Sequence, residues 1–254
     1  MKRRSGKVYL VGAGPGAPDL LTLRAAEILR RADIVFHDAL VNPEVLALAA
    51  RAERVAVGKR CGGFATAQQF INKRLVDAAG KHAVVVRLKG GDPMLFGRAQ
   101  EEISTLESAG IAYEVVPGVT SALAAAAEAG ISLTQRGAAR SVAFVTPRVG
   151  EGEKPNEWSR AVAAADTAVI YMGAGKAPQI TAALLAAGVG PHTPVLVAEN
   201  VASPQARHIT LTLGTLPSIA QSGLTGPTLI LVGRVFAAKA TGQDELAYGS
   251  HAFA

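Results

Sequence analysis

The stretch Leu88-Lys89-Gly90-Gly91-Asp92-Pro93-Met94-Leu95-Phe96-Gly97-Arg98 constrains the fold more than any other part of this sequence. It follows an apolar, β-branched run, Ala83-Val84-Val85-Val86, which reads as a buried strand. It ends where Ala99-Gln100-Glu101-Glu102-Ile103 begins a helical pattern. It is therefore a strand-to-helix loop. Two adjacent glycines let a ligand or another backbone approach with no Cβ in the way. Asp92 puts a carboxylate among exposed backbone N–H groups, and Pro93 stiffens the turn. An Asp-capped tight turn would account for part of this. A second Gly/Pro loop at the start of the chain, Gly12-Ala13-Gly14-Pro15-Gly16-Ala17-Pro18-Asp19, favours a loop shaped around a ligand.

That first loop follows a strand, Val8-Tyr9-Leu10-Val11, and precedes a helix marked by Leu20, Leu23, Ala26 and Ile28, with Asp19 available as its cap. It reads G-x-G-x-G, whereas a dinucleotide site needs G-x-G-x-x-G running straight into a helix, and Pro15 and Pro18 delay the helix. Ile34-Val35-Phe36 is a second strand ending in His37-Asp38, so Asp38 is either a cap or a carboxylate at a ligand-facing strand tip. Arg54-Val55-Ala56-Val57 runs into Gly58-Lys59-Arg60 on the same rim, where the two cations are either solvated or functional. Tyr113-Glu114-Val115-Val116 leads through Pro117-Gly118-Val119 to Thr120 and Ser121, which are helix caps or donors aimed at a ligand carboxylate. Strands alternating with helices predict an α/β lobe with a mostly parallel sheet over residues 1–136. Over residues 137–240 the strands near 142–145, 167–171, 195–197, 207–212 and 228–233 lack regular βαβ spacing, which predicts a mixed sheet; 207–212 alternates as an edge strand does. The tail 241–254 reads as disordered.

The 254 residues are 49% hydrophobic, enough for a large core. Cys61 is the only cysteine, so no intrachain disulfide framework or cysteine zinc site is expected, and the 5 scattered histidines give no metal site. No run of about 18 apolar residues predicts a membrane span, and the charged start of the chain does not read as a signal peptide. A cytoplasmic location fits best. The net charge of +6 points to a polyanionic partner, nucleic acid or an acidic small molecule. The Lys and Arg residues are dispersed and aromatics are 5%, which disfavours a base-stacking platform and leaves an acidic small molecule or no specific partner at all. H-E-x-x-H, C-x-x-C, G-x-S-x-G and P-loop motifs are missing from the sequence. Several Gly/Pro strand tips, including Met172-Gly173 and Gly226-Pro227, suit a mid-sized ligand held largely by backbone groups.

Taken together, Val11-Gly12-Ala13-Gly14-Pro15-Gly16, Asp38, Val57-Gly58-Lys59-Arg60, Gly90-Gly91-Asp92-Pro93 with Phe96-Gly97-Arg98, Pro117-Gly118-Val119-Thr120-Ser121-Ala122, Tyr171-Met172-Gly173 and Gly226-Pro227-Thr228 resemble the tetrapyrrole methylases. Within that family they are most similar to the uroporphyrinogen-III C-methyltransferases. The resemblance spans roughly residues 6–236. It implies two α/β lobes with S-adenosylmethionine in the cleft between them, a homodimer, and transfer of two methyl groups to C2 and C7 of uroporphyrinogen III. The products would be precorrin-2, on the way to siroheme or cobalamin, and S-adenosylhomocysteine. By position it implies cofactor contacts from Pro15, Gly90, Gly91, Asp92, Leu95, Thr120, Ser121, Met172 and Val201, with Asp38 and Lys59 as the proton-handling pair. The substrate carries eight carboxylates, and Arg60, Arg98, Arg136 and Arg148 are candidates to grip them, since guanidinium pairs carboxylates in a bidentate way. Neither nucleic acid nor membrane is implied as a partner. Two departures stand out. Thr134-Gln135-Arg136 and Thr146-Pro147-Arg148 each lack a histidine that the family commonly has, which keeps open a sibling methylase acting on a later precorrin.

Overall fold

A computed structural model of the chain describes residues 6–57, 64–150, 152, 154 and 156–239. Lys59, Arg60, Cys61 and the tail from residue 240 lie outside the described residues. The chain divides into two compact units, Met1–Thr120 and Ser121–Ala254.

The first unit is built on five parallel strands: β1 (Lys7–Gly12), β2 (Ile34–His37), β3 (Glu53–Ala56), β4 (Val84–Lys89) and β5 (Tyr113–Val116), in the order β3-β2-β4-β1-β5. Four helices accompany them: α1 (Leu23–Arg30), α2 (Pro43–Ala47), α3 (Phe64–Ala79) and α4 (Ala99–Ser108). Side chains alternate across a strand, so the apolar runs of β1 and β4 serve two cores. Tyr9, Val11, Val35, Val86 and Leu88 pack with Ala25, Ile28 and Leu29 of α1 and Val45 of α2. Val8, Leu10, Phe36 and Val85 pack with Leu75 of α3 and Ile103 and Leu106 of α4 on the other face. Burial on both faces explains why these strands read as continuous hydrophobic runs. Neighbouring strands β1 and β4 thus send their following helices to opposite faces, and the crevice of a doubly wound sheet opens at such a point.

The start of α1 corrects the sequence reading. Asp19 lies in a short 3-10 turn, Pro18–Leu20, while Thr22 is the cap, its hydroxyl accepting the Ala25 amide at 3.2 Å. The buried stripe is Ala25, Ile28 and Leu29, and Leu23 is 86% exposed.

The second unit holds β6 (Val142–Val145), β7 (Thr167–Tyr171), β8 (Pro194–Glu199), β9 (Arg207–Thr212) and β10 (Thr228–Gly233) in the order β6-β7-β10-β8-β9. Only β6 and β7 run parallel, so the sheet is mixed, as the irregular spacing predicted. Central β10 is almost wholly buried; β9 is the half-exposed edge. Helices α5 (Ser121–Ala129), α6 (Trp158–Ala164) and α7 (Ala177–Ala186) complete the unit. Ile180 and Leu184 of α7 pack on Ile170, Val195, Val197 and Ile230, with Trp158 against the same core. No helix among the described residues is long and apolar enough to cross a membrane.

Candidate active site

Because the first sheet is all parallel, the loops after its strands emerge at one end. Those after β1, β4 and β5 interlock there, backbone against backbone. A Cβ on Gly12 would lie 2.6 Å from Gly118 Cα and 2.7 Å from the Gly91 oxygen, and one on Gly118 would lie 2.4 Å from that oxygen. Gly14 and Gly91 exchange backbone hydrogen bonds, the Gly91 amide donating at 2.7 Å and the Gly14 amide at 3.2 Å. Asp92 locks the arrangement: Oδ1 accepts the Met94 amide at 2.7 Å and Oδ2 the Gly118 amide at 2.9 Å. Gly90 is exposed, and a Cβ there would meet only Leu40, at 3.6 Å. Half-buried Pro15, Leu95 and Thr120 lie on the same three loops. Six of the cofactor candidates are thereby gathered around accessible backbone, with Asp38 at the tip of neighbouring β2.

Asp38 is one end of a buried charge network that sequence patterning missed. Its Oδ1 accepts from Arg87 Nη2 at 2.5 Å. Arg87, on β4, donates from Nε to Glu102 of α4 at 2.9 Å, and Lys89 reaches both Glu102 oxygens at 3.1 Å. Gln68 of α3 donates to the same carboxylate at 3.2 Å. Arg87, Lys89 and Glu102 are 3%, 3% and 0% exposed, whereas the Asp38 side chain is 32% exposed. Two cations and two anions balance, the condition under which buried charge is tolerated. Burial works against the Arg87 charge, but Asp38 and Glu102 more than offset it and push its pKa up. Burial first, then the Arg87 charge, push the Lys89 pKa down, against the pull of Glu102 and Asp38. Asp38 is thus the solvent-facing carboxylate of a rigid cluster. The signal in the sequence was Arg87 and Lys89 inside an otherwise apolar strand.

Arg98 caps α4 with φ 55° and is held by Glu101, Nε to Oε1 at 2.6 Å and Nη2 to Oε2 at 2.8 Å. In the second unit, register gathers another set. Leu229 of β10 pairs with Tyr171, Thr228 with Glu199, and Val145 with Ile170. Met172, residues 200–202, Gly226-Pro227 and Arg148 therefore share one end of the sheet. Arg148 Nη1 lies 3.7 Å from the Met172 sulfur. Val201 is buried, and Ser121 opens α5. Arg136 is not brought to this end. It stands exposed in a turn closed by Gln135 and Ala139, and neighbouring Ala138 accepts from Arg234, beyond the opposite end of β10. Among the described residues, the non-glycine positions with positive φ are Phe96, Arg98, Met172, Asn200 and Ala202. All lie on segments named above, and backbone strain concentrates where ligands are held. No group of three or more metal-ligating side chains occurs among the described residues.

Residues 7–217 match the family model described as tetrapyrrole (corrin/porphyrin) methylases. A siroheme synthase of Chromobacterium violaceum is 48% identical over 234 residues, covering 91% of this chain and 50% of that protein; one from Azotobacter vinelandii is 47% identical over 232 residues, with the same coverage. The chain therefore spans about half the length of these relatives. Among solved structures, a uroporphyrin-III C-methyltransferase from Thermus thermophilus, complexed with S-adenosylhomocysteine, superposes with a TM-score of 0.81 at 41% identity, covering 92% of this chain and 100% of that one. A cobalt-precorrin-4 methyltransferase, described as a cobalamin biosynthetic enzyme, gives 0.79 at 27% identity, with 91% and 95% covered. This chain belongs to the tetrapyrrole methylase family.

Proposed function

We propose that this chain is an S-adenosylmethionine-dependent C-methyltransferase that converts uroporphyrinogen III to precorrin-2 by methylation at C2 and C7, serving siroheme or cobalamin formation. The observation that carries the reading is the 41% identity to the Thermus enzyme over the whole of that chain, supported by the siroheme synthases. The 27% identical cobalt-precorrin-4 enzyme keeps a sibling methylase on a later precorrin as the second reading.

The first unit's residues fit such a donor, because interlocked glycines leave the Gly90 backbone open to a ligand while Asp92 spends its carboxylate on shaping the loops. Pro15, Gly90, Gly91, Leu95 and Thr120, together with Ser121, Met172 and Val201, are the proposed contacts. Bound there, S-adenosylmethionine supplies an electrophilic methyl group. The protein's tasks are orientation, water exclusion and management of the proton that the methylated pyrrole carbon's ring must release. Asp38 is the proposed acceptor, its carboxylate fixed by Arg87. Lys59 is proposed as the partner of Asp38 in the proton-handling pair, steadying the charge that develops as the proton leaves. Arg98 and Arg148, exposed cations on the loops after β4 and β6, are proposed to hold substrate carboxylates, with Arg60 beside Lys59. The proposal includes a cytoplasmic homodimer, supported by the family resemblance.

Anaerobic incubation with uroporphyrinogen III and labelled S-adenosylmethionine tests the reading. Two added methyl groups and, after oxidation, the sirohydrochlorin spectrum are expected. Donor binding without transfer would move the assignment to the sibling substrate.

A further inference from the structure

Strands β8 and β9 are joined by residues 200–206, and the loop begins against its own backbone preference. Asn200 and Ala202 have φ of 51° and 57°, on either side of buried Val201. Residues with a Cβ avoid this region, and Ala lacks the polar side chain that makes it tolerable for Asn. The conformation must be held from outside. Asn200 is held twice. Its amide donates to the Pro227 oxygen at 2.9 Å, and its side chain occupies the space left by Gly226, where a Cβ would stand 2.0 Å from Oδ1. Glu199 fixes that facing loop by accepting the Thr225 and Gly226 amides at 2.6 and 2.7 Å.

Ala202 is held by one group from far along the chain. Its amide donates to Glu128 Oε1 at 2.6 Å, across 74 residues. Glu128 is in the last turn of α5, and its side chain is only 5% exposed. Its Oε2 faces His208 Nε2 of β9 at 3.3 Å. A carboxylate at a helix C-terminus opposes the helix dipole, and burial adds a desolvation cost. Helix stability alone does not account for Glu128; its contacts with the Ala202 amide and the His208 ring do. The same helix starts at Ser121, about 10 Å away at 1.5 Å per residue, so one rigid element registers Ser121 and the Val201 loop together.

We infer that Glu128 is a positioning residue for methyl-donor binding, acting through the Ala202 amide to hold Val201 in its strained, ligand-ready loop. The inference rests on the donor-contact role proposed for Val201. Calorimetric titration with S-adenosylhomocysteine tests it on the full chain, comparing wild type with V201W, E128A and E128Q, alongside thermal melts and steady-state kinetics. E128A is expected to bind about tenfold more weakly, the change that loss of one charge-assisted hydrogen bond represents. Its donor KM should rise in step while kcat at saturating donor holds. E128Q, whose amide oxygen can still accept from Ala202, is expected to stay close to wild type. E128A binding as tightly as wild type would overturn the inference, as would E128Q being as weak as E128A, since charge rather than the Ala202 bond would then be responsible. If E128A does not fold, E128D carries the test: the carboxylate withdrawn by one methylene must weaken binding. Undiminished binding by V201W would instead strike the role of Val201, and a wild type that takes up no S-adenosylhomocysteine would strike the proposed function itself.

Discussion

At the scale of single residues, Asp38 and Asp92 show how alike two loop aspartates look in sequence and how differently they are used. Both oxygens of Asp92 are engaged by backbone amides, so its charge shapes loops. Asp38 is tethered through one oxygen to Arg87 and keeps a partly exposed side chain. A carboxylate with a fixed orientation and a free lone pair is what proton acceptance requires. Asp38→Asn preserves size and can still contact solvent, but it cannot take up a proton. Methyl transfer to uroporphyrinogen III is expected to fall by about 10²-fold or more, with S-adenosylhomocysteine affinity unchanged. Transfer within a few-fold of wild type would remove Asp38 from the proton-handling role.

Among the elements, the loops after β1, β4 and β5 act as one piece. Gly12 and Gly118 meet each other and the Gly91 oxygen at distances that leave no room for a side chain on either. Gly118→Ala would drive a Cβ to 2.4 Å from the Gly91 oxygen, a backbone atom that cannot rotate away. Overpacking of this kind costs about 1–3 kcal/mol. The variant is expected to melt earlier and to lose donor affinity, because Gly90 and Gly91 move with the displaced oxygen. A variant with unchanged melting and affinity would show that the three loops flex independently. These loops were legible in the sequence because glycine and proline report backbone demands locally. The buried Arg87, Lys89, Glu102 and Gln68 cluster was not. Arg87 and Lys89 stand two apart on a strand, a spacing that serves an exposed face equally well, and the Glu102 that neutralises them comes from a different element. Thr22 rather than Asp19 caps α1; either residue type caps a helix, and only the turn at Pro18–Leu20 decides between them.

For the whole molecule, the parallel sheet and the mixed sheet follow from the order and spacing of strands and helices, but what pins each sheet at the starts of its strands depends on side-chain-to-backbone bonds that such spacing does not report. In the first unit, Asp33 Oδ2 accepts the Ala83 and Val84 amides at 2.9 and 2.8 Å. In the second, Asp166 Oδ2 accepts the Arg140 and Ser141 amides and the Ser141 hydroxyl at 2.8, 3.1 and 2.9 Å, tying the start of β7 to the start of β6. The Arg140 amide, then the Ser141 hydroxyl and amide, hold the Asp166 pKa below its ordinary value. A carboxylate depressed in the folded state binds fewer protons there than in the unfolded chain. Its stabilisation is therefore complete above the unfolded-state pKa, about 3.9, and is lost as pH falls through the folded-state value. Asp166→Asn keeps one acceptor oxygen but removes the charge. Its thermal midpoint should fall below wild type at neutral pH, and the two melting curves should converge as the solution is acidified. A gap that stays constant down to acid pH would place the stabilisation in the shape of the Asp166 turn rather than in its charge.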